Sequence, residues 1–268
     1  MKNFREEWYD EEAKVAITIA DATDAAQALA SAHLCGPASA YFLSRALAAV
    51  SLFGAEISEP EETVSLQMKC SGPLGGLNVE CTDKGTLRGY PEKKILDDFD
   101  GLGRPDPKLV LGEKRLQITR SVPGRIISQG MATTLGGYLT NSLQRSAEIR
   151  VDAEVTDDVK VLHASGVMVE LLPDSTLPKD SALIPSKLNL AASSRNILSK
   201  LGHPNAVLKK KIPLSFACRC SLERAKAIIE AIPPEERANL PPSIDITCHM
   251  CGQIWSVENN IASGASQS

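Results

Sequence analysis

Cys218-Arg-Cys220, 27 intervening residues and then Cys248-His-Met-Cys251 constrain this chain more than any other feature. Two spaced thiol pairs match the donor set of a tetrahedral zinc site, with sulfurs at about 2.3 Å from the metal. Gly252, directly after the last cysteine, suits a tight turn that aims backbone amides at sulfur. The two pairs meet if residues 221–231 form a helix and 233–240 return the chain to a strand, 244–247, that leads into the second pair. The need for metal follows from size. A terminal unit of about 55 residues with one Trp and one Phe cannot bury enough apolar surface to fold alone. Structural zinc contributes about 10–16 kcal/mol in comparable small sites.

Four thiolates around zinc carry a formal charge of -2. Arg219, Arg224, Lys226 and His249 lie close enough in sequence to offset it and keep the sulfurs deprotonated. Within the second pair, His249 reads as a spectator or charge partner beside four available thiols. Thiolate is also the form that oxidants attack. Two readings stay open: a permanently structural site, or one that oxidation empties, unfolding the small unit. The other three of the seven cysteines, Cys35, Cys70 and Cys81, sit in apolar surroundings and read as small buried hydrophobes.

With 43% hydrophobic and only 4% aromatic residues, the core must be built from Ala, Leu, Val and Ile. Residues 13–20 alternate Val15, Ile17 and Ile19 on one face, a half-buried strand. Helices are predicted over 24–32 and 37–53, where Pro37 suits a first turn. Period-two patterns at Val64, Leu66, Met68 and Cys70, at Leu77, Val79 and Cys81, and at Leu87 predict an antiparallel meander. A strand follows at 115–119. The spacing then predicts a helix over 131–145, weakened by Gly136 and Gly137 at about 1 kcal/mol each. A hairpin of 159–164 and 167–172 is predicted to turn at Ser165-Gly166.

Strands and helices in runs indicate an α+β class for residues 1–175. Prolines over 173–185 mark a boundary, and 184–201 reads as a marginal linker helix that needs a surface to lie on. The expected organisation is a mixed sheet-and-helix domain at 1–175, a helical linker at 176–212, a small zinc-binding domain at 213–260 and a flexible tail at 261–268.

The acidic first dozen residues lack the pattern of a secretory signal, and the apolar runs, such as 46–54, read as too short to span a bilayer. A soluble, intracellular protein without membrane partners is expected. The formal net charge of -4 gives no general attraction to nucleic acid. A zinc-ribbon nucleic-acid module would have to use Lys209-Lys210-Lys211, Arg219 and Arg224, with few aromatics nearby for stacking; the lysine run reads more simply as a solvated face or loop. An enzyme is not expected: four cysteines close the metal shell, no phosphate loop or hydrolase triad is present, and His33, His163 and His203 lack acidic neighbours at useful spacing.

The four cysteines, with Phe216 before them and Ser221 and Glu223-Arg224 beside them, resemble the heat shock protein 33 family of redox-regulated chaperones. Upstream the resemblance continues through Arg45-Ala46-Leu47, Gly72-Pro73-Leu74-Gly75, Arg88-Gly89-Tyr90, Gln129-Gly130, Tyr138-Leu139 and Leu171-Leu172-Pro173. Leu143 departs from it, standing where the family usually has Glu. The resemblance implies a cytoplasmic, ATP-independent holdase that is inactive and mainly monomeric when reduced, with one zinc on Cys218, Cys220, Cys248 and Cys251. It further implies that oxidation forms Cys218–Cys220 and Cys248–Cys251 disulfides, expels zinc, loosens the linker, produces a homodimer and allows binding of unfolded or partly unfolded clients.

Overall fold

Alanine and leucine so dominate residues 37–53 that a helix there has no polar face, and it must be buried on all sides. The computed structural model describes residues 3–259 except 102, 179 and 180, so the tail expected at 261–268 lies outside the described residues. The elements run β1 (Phe4–Asp10), β2 (Val15–Asp21), α1 (Thr23–Ala32), α2 (Pro37–Phe53), β3 (Thr63–Cys70), β4 (Gly76–Thr82), β5 (Thr86–Pro91), α3 (Pro107–Leu111), β6 (Lys114–Val122), β7 (Arg125–Ala132) and the turn α4 (Leu135–Gly137). They continue with β8 (Ala147–Val155), β9 (Val161–Leu171), α5 (Ser194–Leu201), β10 (Val207–Pro213), β11 (Ser215–Phe216), α6 (Leu222–Glu230), α7 (Pro234–Arg237), β12 (Ser243–Thr247) and β13 (Ile254–Glu258). The class is α+β, as expected.

A five-stranded sheet of order β10-β1-β2-β9-β8 and a six-stranded sheet of order β11-β5-β4-β3-β6-β7 enclose α1 and α2. Arg45 is the one residue of α2 beyond its first turn that is not buried. Residues Pro37–Glu56 together reach 20 residues at mean hydropathy 1.3, longer than the apolar runs read from sequence and sufficient to cross a membrane by length and composition, but 89% of that window is buried inside the fold.

Alternation decides what lies on the far side of the five-stranded sheet. Ala20, Ala164 and Met168 face the helices. Val15, Ile17, Ile19, Val167 and Val169 face outward, where Ile184, Leu188, Leu190, Ile197 and Leu198 cover them. Only residues 194–201 of the expected linker helix are helical, capped by the Ser193 hydroxyl at Asn196 N–H and ended by Gly202 at φ +87°. The preceding stretch runs instead through bends and short turns, with Glu148 accepting the amides of Leu183 and Ile184 at 2.9 Å and Leu188 N–H donating to Pro185 O at 3.1 Å.

Further expectations fail for identifiable reasons. No helix spans 131–145: ladder bonds to β6 carry β7 through Ala132, and the two glycines leave only α4 and a single wide turn, Tyr138–Ser142. Leu143, after that turn, packs against the main core. Ser165-Gly166 is no turn either. It lies mid-strand in β9, where a Cβ on Gly166 would meet Leu52 Cδ1 at 2.8 Å, so glycine marks the close approach of α2. The lysine run is the exposed face of a strand rather than a loop: Lys209, Lys210 and Lys211 are all solvent-exposed on β10, with Lys211 opposite Glu6 and Lys210 opposite Glu7. Lys211 Nζ is 2.6 Å from Glu6, and Lys209 and Lys211 lie over the Tyr9 and Phe4 rings.

Glu62 is fully buried, its Oε1 2.6 Å from Arg120 Nε and its Oε2 accepting the Ser58 and Glu59 amides. Burial opposes the charge, but Arg120 and the two amides outweigh it and hold this carboxyl below its ordinary value. The stabilisation is therefore present above the unfolded-chain value and lost as pH falls through the lower folded one. Glu62→Gln is expected to cost about 3 kcal/mol at neutral pH, because it leaves Arg120 unpaired, and to flatten the acid side of the stability profile. Denaturant midpoints between pH 3 and 7 measure this, and an unchanged midpoint at pH 7 would contradict it.

Candidate metal centre

After β10 the chain runs along the edge of β5 as β11, in parallel register with Thr86 and Leu87, and Ala217 N–H donates to Leu87 O at 3.2 Å. That anchor delivers Cys218 and Cys220 to one side of the site. Ser221 then caps α6, as the expected helix requires. The second pair occupies the turn between β12 and β13. Cys248 N–H donates to Gln253 O at 2.8 Å and Gly252 N–H to Cys248 O at 2.8 Å, with Gly252 at φ +74°, the left-handed conformation that glycine adopts without strain.

These two segments bring all four sulfurs within 4.8 Å of one another. Cys218 and Cys248 Sγ are 3.8 Å apart, and Cys220 and Cys251 Sγ 3.4 Å. A tetrahedron with 2.3 Å metal–sulfur bonds has edges of about 3.8 Å, so the donor set fits a zinc ion in size and softness. Amides of Cys220, Met250 and Gln253 point at Cys218, Cys248 and Cys251 respectively. Burial raises the Cys218 thiol, but the Cys220 amide, the Arg88 guanidinium and the neighbouring thiols more than compensate and bring it to about 7. Burial pushes Cys248 and Cys251 upward. Of these three, Cys218 gives up its proton most readily.

Arg88 is the residue that sequence reasoning missed. Its Nη1 lies 3.9 Å from Cys218 Sγ, from a position 130 residues upstream on β5. Arg219, expected to offset the thiolates, turns instead toward Glu80 at 3.8 Å. His249 stands outside the four-sulfur cluster, its ring edge-on to Tyr90. Chain spacing carries no signal for Arg88; only its place in the Arg88-Gly89-Tyr90 motif singles it out.

The remaining cysteines lie apart from this centre. Burial pushes Cys35 to about 12 and Cys81 to about 11, and raises half-buried Cys70 as well, which suits inert packing groups. The histidines gain partners through the fold that their sequence neighbourhoods did not offer. His203 Nδ1 is 2.7 Å from Asp10, His163 sits between Asp152 and Glu154, and His33 Nε2 is 2.9 Å from Gly89 O.

A family profile described as Hsp33 protein matches residues 7–258. A 33 kDa chaperonin of Symbiobacterium thermophilum is 27% identical over 246 residues, 83% of each chain. Another, of Thermus thermophilus, is 26% identical and covers 91% of this chain and 81% of its own. The crystal structure of the 33 kDa chaperonin (heat shock protein 33 homolog) from Thermotoga maritima shares the fold, with a TM-score of 0.85 at 18% identity over 97% of this chain and 96% of that one. Since the profile match takes in both large sheets, the covering segment and all four clustered cysteines, the chain belongs to the Hsp33 family.

Proposed function

We propose that this protein is a redox-regulated, ATP-independent holdase chaperone of the cytoplasm and not an enzyme. Residues 1–175 would form the client-binding and dimerisation domain, 176–212 a metastable linker, and 213–260 a redox unit in which Cys218, Cys220, Cys248 and Cys251 hold one zinc. The observation that carries this reading is the apolar outer face of the five-stranded sheet, covered by a segment whose far end runs into the four-cysteine unit. The names of the chaperonin relatives support it.

A bound zinc ties four thiolates into one folded unit. Peroxide or hypochlorite would join Cys218 to Cys220 and Cys248 to Cys251, each bond forming as two thiolates give two electrons to the oxidant, whose reduction takes its protons from water. Disulfide sulfurs no longer hold metal, and the core that remains has only Ala225, Ile229 and Val257 buried. α5, at eight residues, is below the length at which an isolated helix persists. Released from the sheet, the part of the linker before β10 uncovers Val15, Ile17, Val167 and Val169 for unfolding clients, and two opened chains pair. Lys209 and Lys211 are engaged within β10, which weighs against a nucleic-acid module built on them.

The test is light scattering of a heat-unfolded client with zinc release recorded in parallel. Oxidised protein should suppress aggregation without nucleotide, and dithiothreitol with zinc should reverse it. Equal protection by the reduced, zinc-loaded chain would sink the switch.

A further inference from the structure

Arg88, Gly89 and Tyr90 are consecutive on β5, and all three meet the four-cysteine unit. Arg88 spans between Glu80, at 2.6 Å from Nη2, and Cys218 Sγ, at 3.9 Å from Nη1. Parallel pairing with β11 covers the edge of β5 only as far as Leu87. Beyond it, at Gly89, the free N–H donates to Met250 O at 3.0 Å, while Gly89 O lies 2.9 Å from His33 Nε2. The Tyr90 ring meets His249 edge-on at 5.8 Å between centroids. On the other flank, a Cβ on Gly252 would lie 2.5 Å from Ala32 O, so the turn between the second pair of cysteines rests directly on the last residues of α1.

We propose that β5 and the end of α1 form a cradle for the Cys248–Gly252 turn, with Arg88 as a positioning residue that holds Cys218 against it, so that the large domain retards metal loss through a joint separate from the linker. The inference rests on the zinc reading of the four cysteines. Its physical basis is shape. Gly89 N–H is an edge donor whose acceptor is Met250 O on the turn, and Met250 lies between two of the sulfurs that the metal would fix. An Arg–thiolate contact is charge-assisted and stronger than a neutral one. Conversely, collapse of the turn removes the acceptor from Gly89 and the ring from Tyr90 at once, so loss of metal reaches the six-stranded sheet directly.

The experiment uses the full zinc-loaded chain, with Arg88→Met, Arg88→Lys and His249→Ala as variants. His249 is exposed and contributes nothing to the core of the large domain, so His249→Ala decides the matter should Arg88→Met fail to fold. Each variant is expected to retain one zinc per chain. In Arg88→Met and His249→Ala, exchange of the Gly89 amide should accelerate roughly 10-fold, as loss of one to two hydrogen-bond equivalents implies, and peroxide-driven zinc transfer to a chromophoric chelator should speed up several-fold. Arg88→Lys should recover part of both. Wild-type exchange at Gly89 and wild-type zinc release in Arg88→Met and His249→Ala would overturn the cradle while leaving the zinc reading intact. Unmodified protein that binds no zinc would overturn the zinc reading, and the coupling with it.

Discussion

Removal of zinc by a strong chelator, or Cys248→Ser, is expected to unfold residues 217–259 while the two large sheets, which hold β10 and β11, stay folded. The cluster inside the small unit consists of Ala225, Ile229 and Val257, with Leu222, Ile232, Ile244, Ile246 and Trp255 only partly covered. Nothing in so small a core replaces the roughly 10 kcal/mol that a structural zinc contributes. The large body has an independent interior running from Ala20 through α2 to Ile118 and Met168. Hydrogen exchange should therefore show protection lost in β12, β13 and α6 and retained in β3, β4 and β9, with the emission of half-buried Trp255 shifting to the red. Full protection of β12 and β13 in the stripped chain would refute the metal dependence.

Leu198→Asp is expected to give client protection in reduced, zinc-loaded protein, with no oxidant added. Leu198 is 0% exposed against the outer face of the five-stranded sheet. Truncation to Ala at such a position costs about 2–5 kcal/mol, and a carboxylate adds the penalty of an unpaired buried charge. That exceeds what an eight-residue helix and its Ser193 cap can supply, so the covering segment should detach. An apolar dye should bind more strongly, and scattering from a heated client should fall. Ser199→Asp, on the exposed side of the same helix, is the control and should change nothing. A Leu198→Asp chain whose linker exchanges freely yet protects no client would exclude this face as the client surface.

Elements whose stability is local were readable from sequence. α2 carries its own punctuation in Gly36, Pro37 and Gly54, the meander has strict alternation, and Ser221 announces α6. Elements whose charges are satisfied at a distance were not. β1 gives no strand signal in the acidic first dozen residues because its partners lie far along the chain. Glu6 meets Lys211, and the buried Arg5 reaches Glu7 and lies beside Gly54 and Cys81. β10 was hidden for the same reason seen from the other side, since three exposed lysines carry no strand signal until an acidic strand is placed beside them. β9 was split in two by a glycine whose meaning depends on Leu52 approaching from α2. The four-cysteine set could be read from spacing alone, whereas Arg88 could not, because only the β5–β11 pairing brings it there.

The strand order also fixes the mechanics of the covering segment. It leaves the five-stranded sheet at the end of β9 and rejoins it as β10, three strand positions away, or about 14 Å across the ladder. Residues 172–206 thus form a strap anchored at both ends rather than a dangling arm. Opening it gains only the entropy of a closed loop, which grows slowly with length. Its return needs no encounter with another molecule: the apolar side chains stay at a high effective concentration over the face they left. Relatching after reduction should therefore proceed at a rate independent of protein concentration, in competition with whatever client then occupies the sheet.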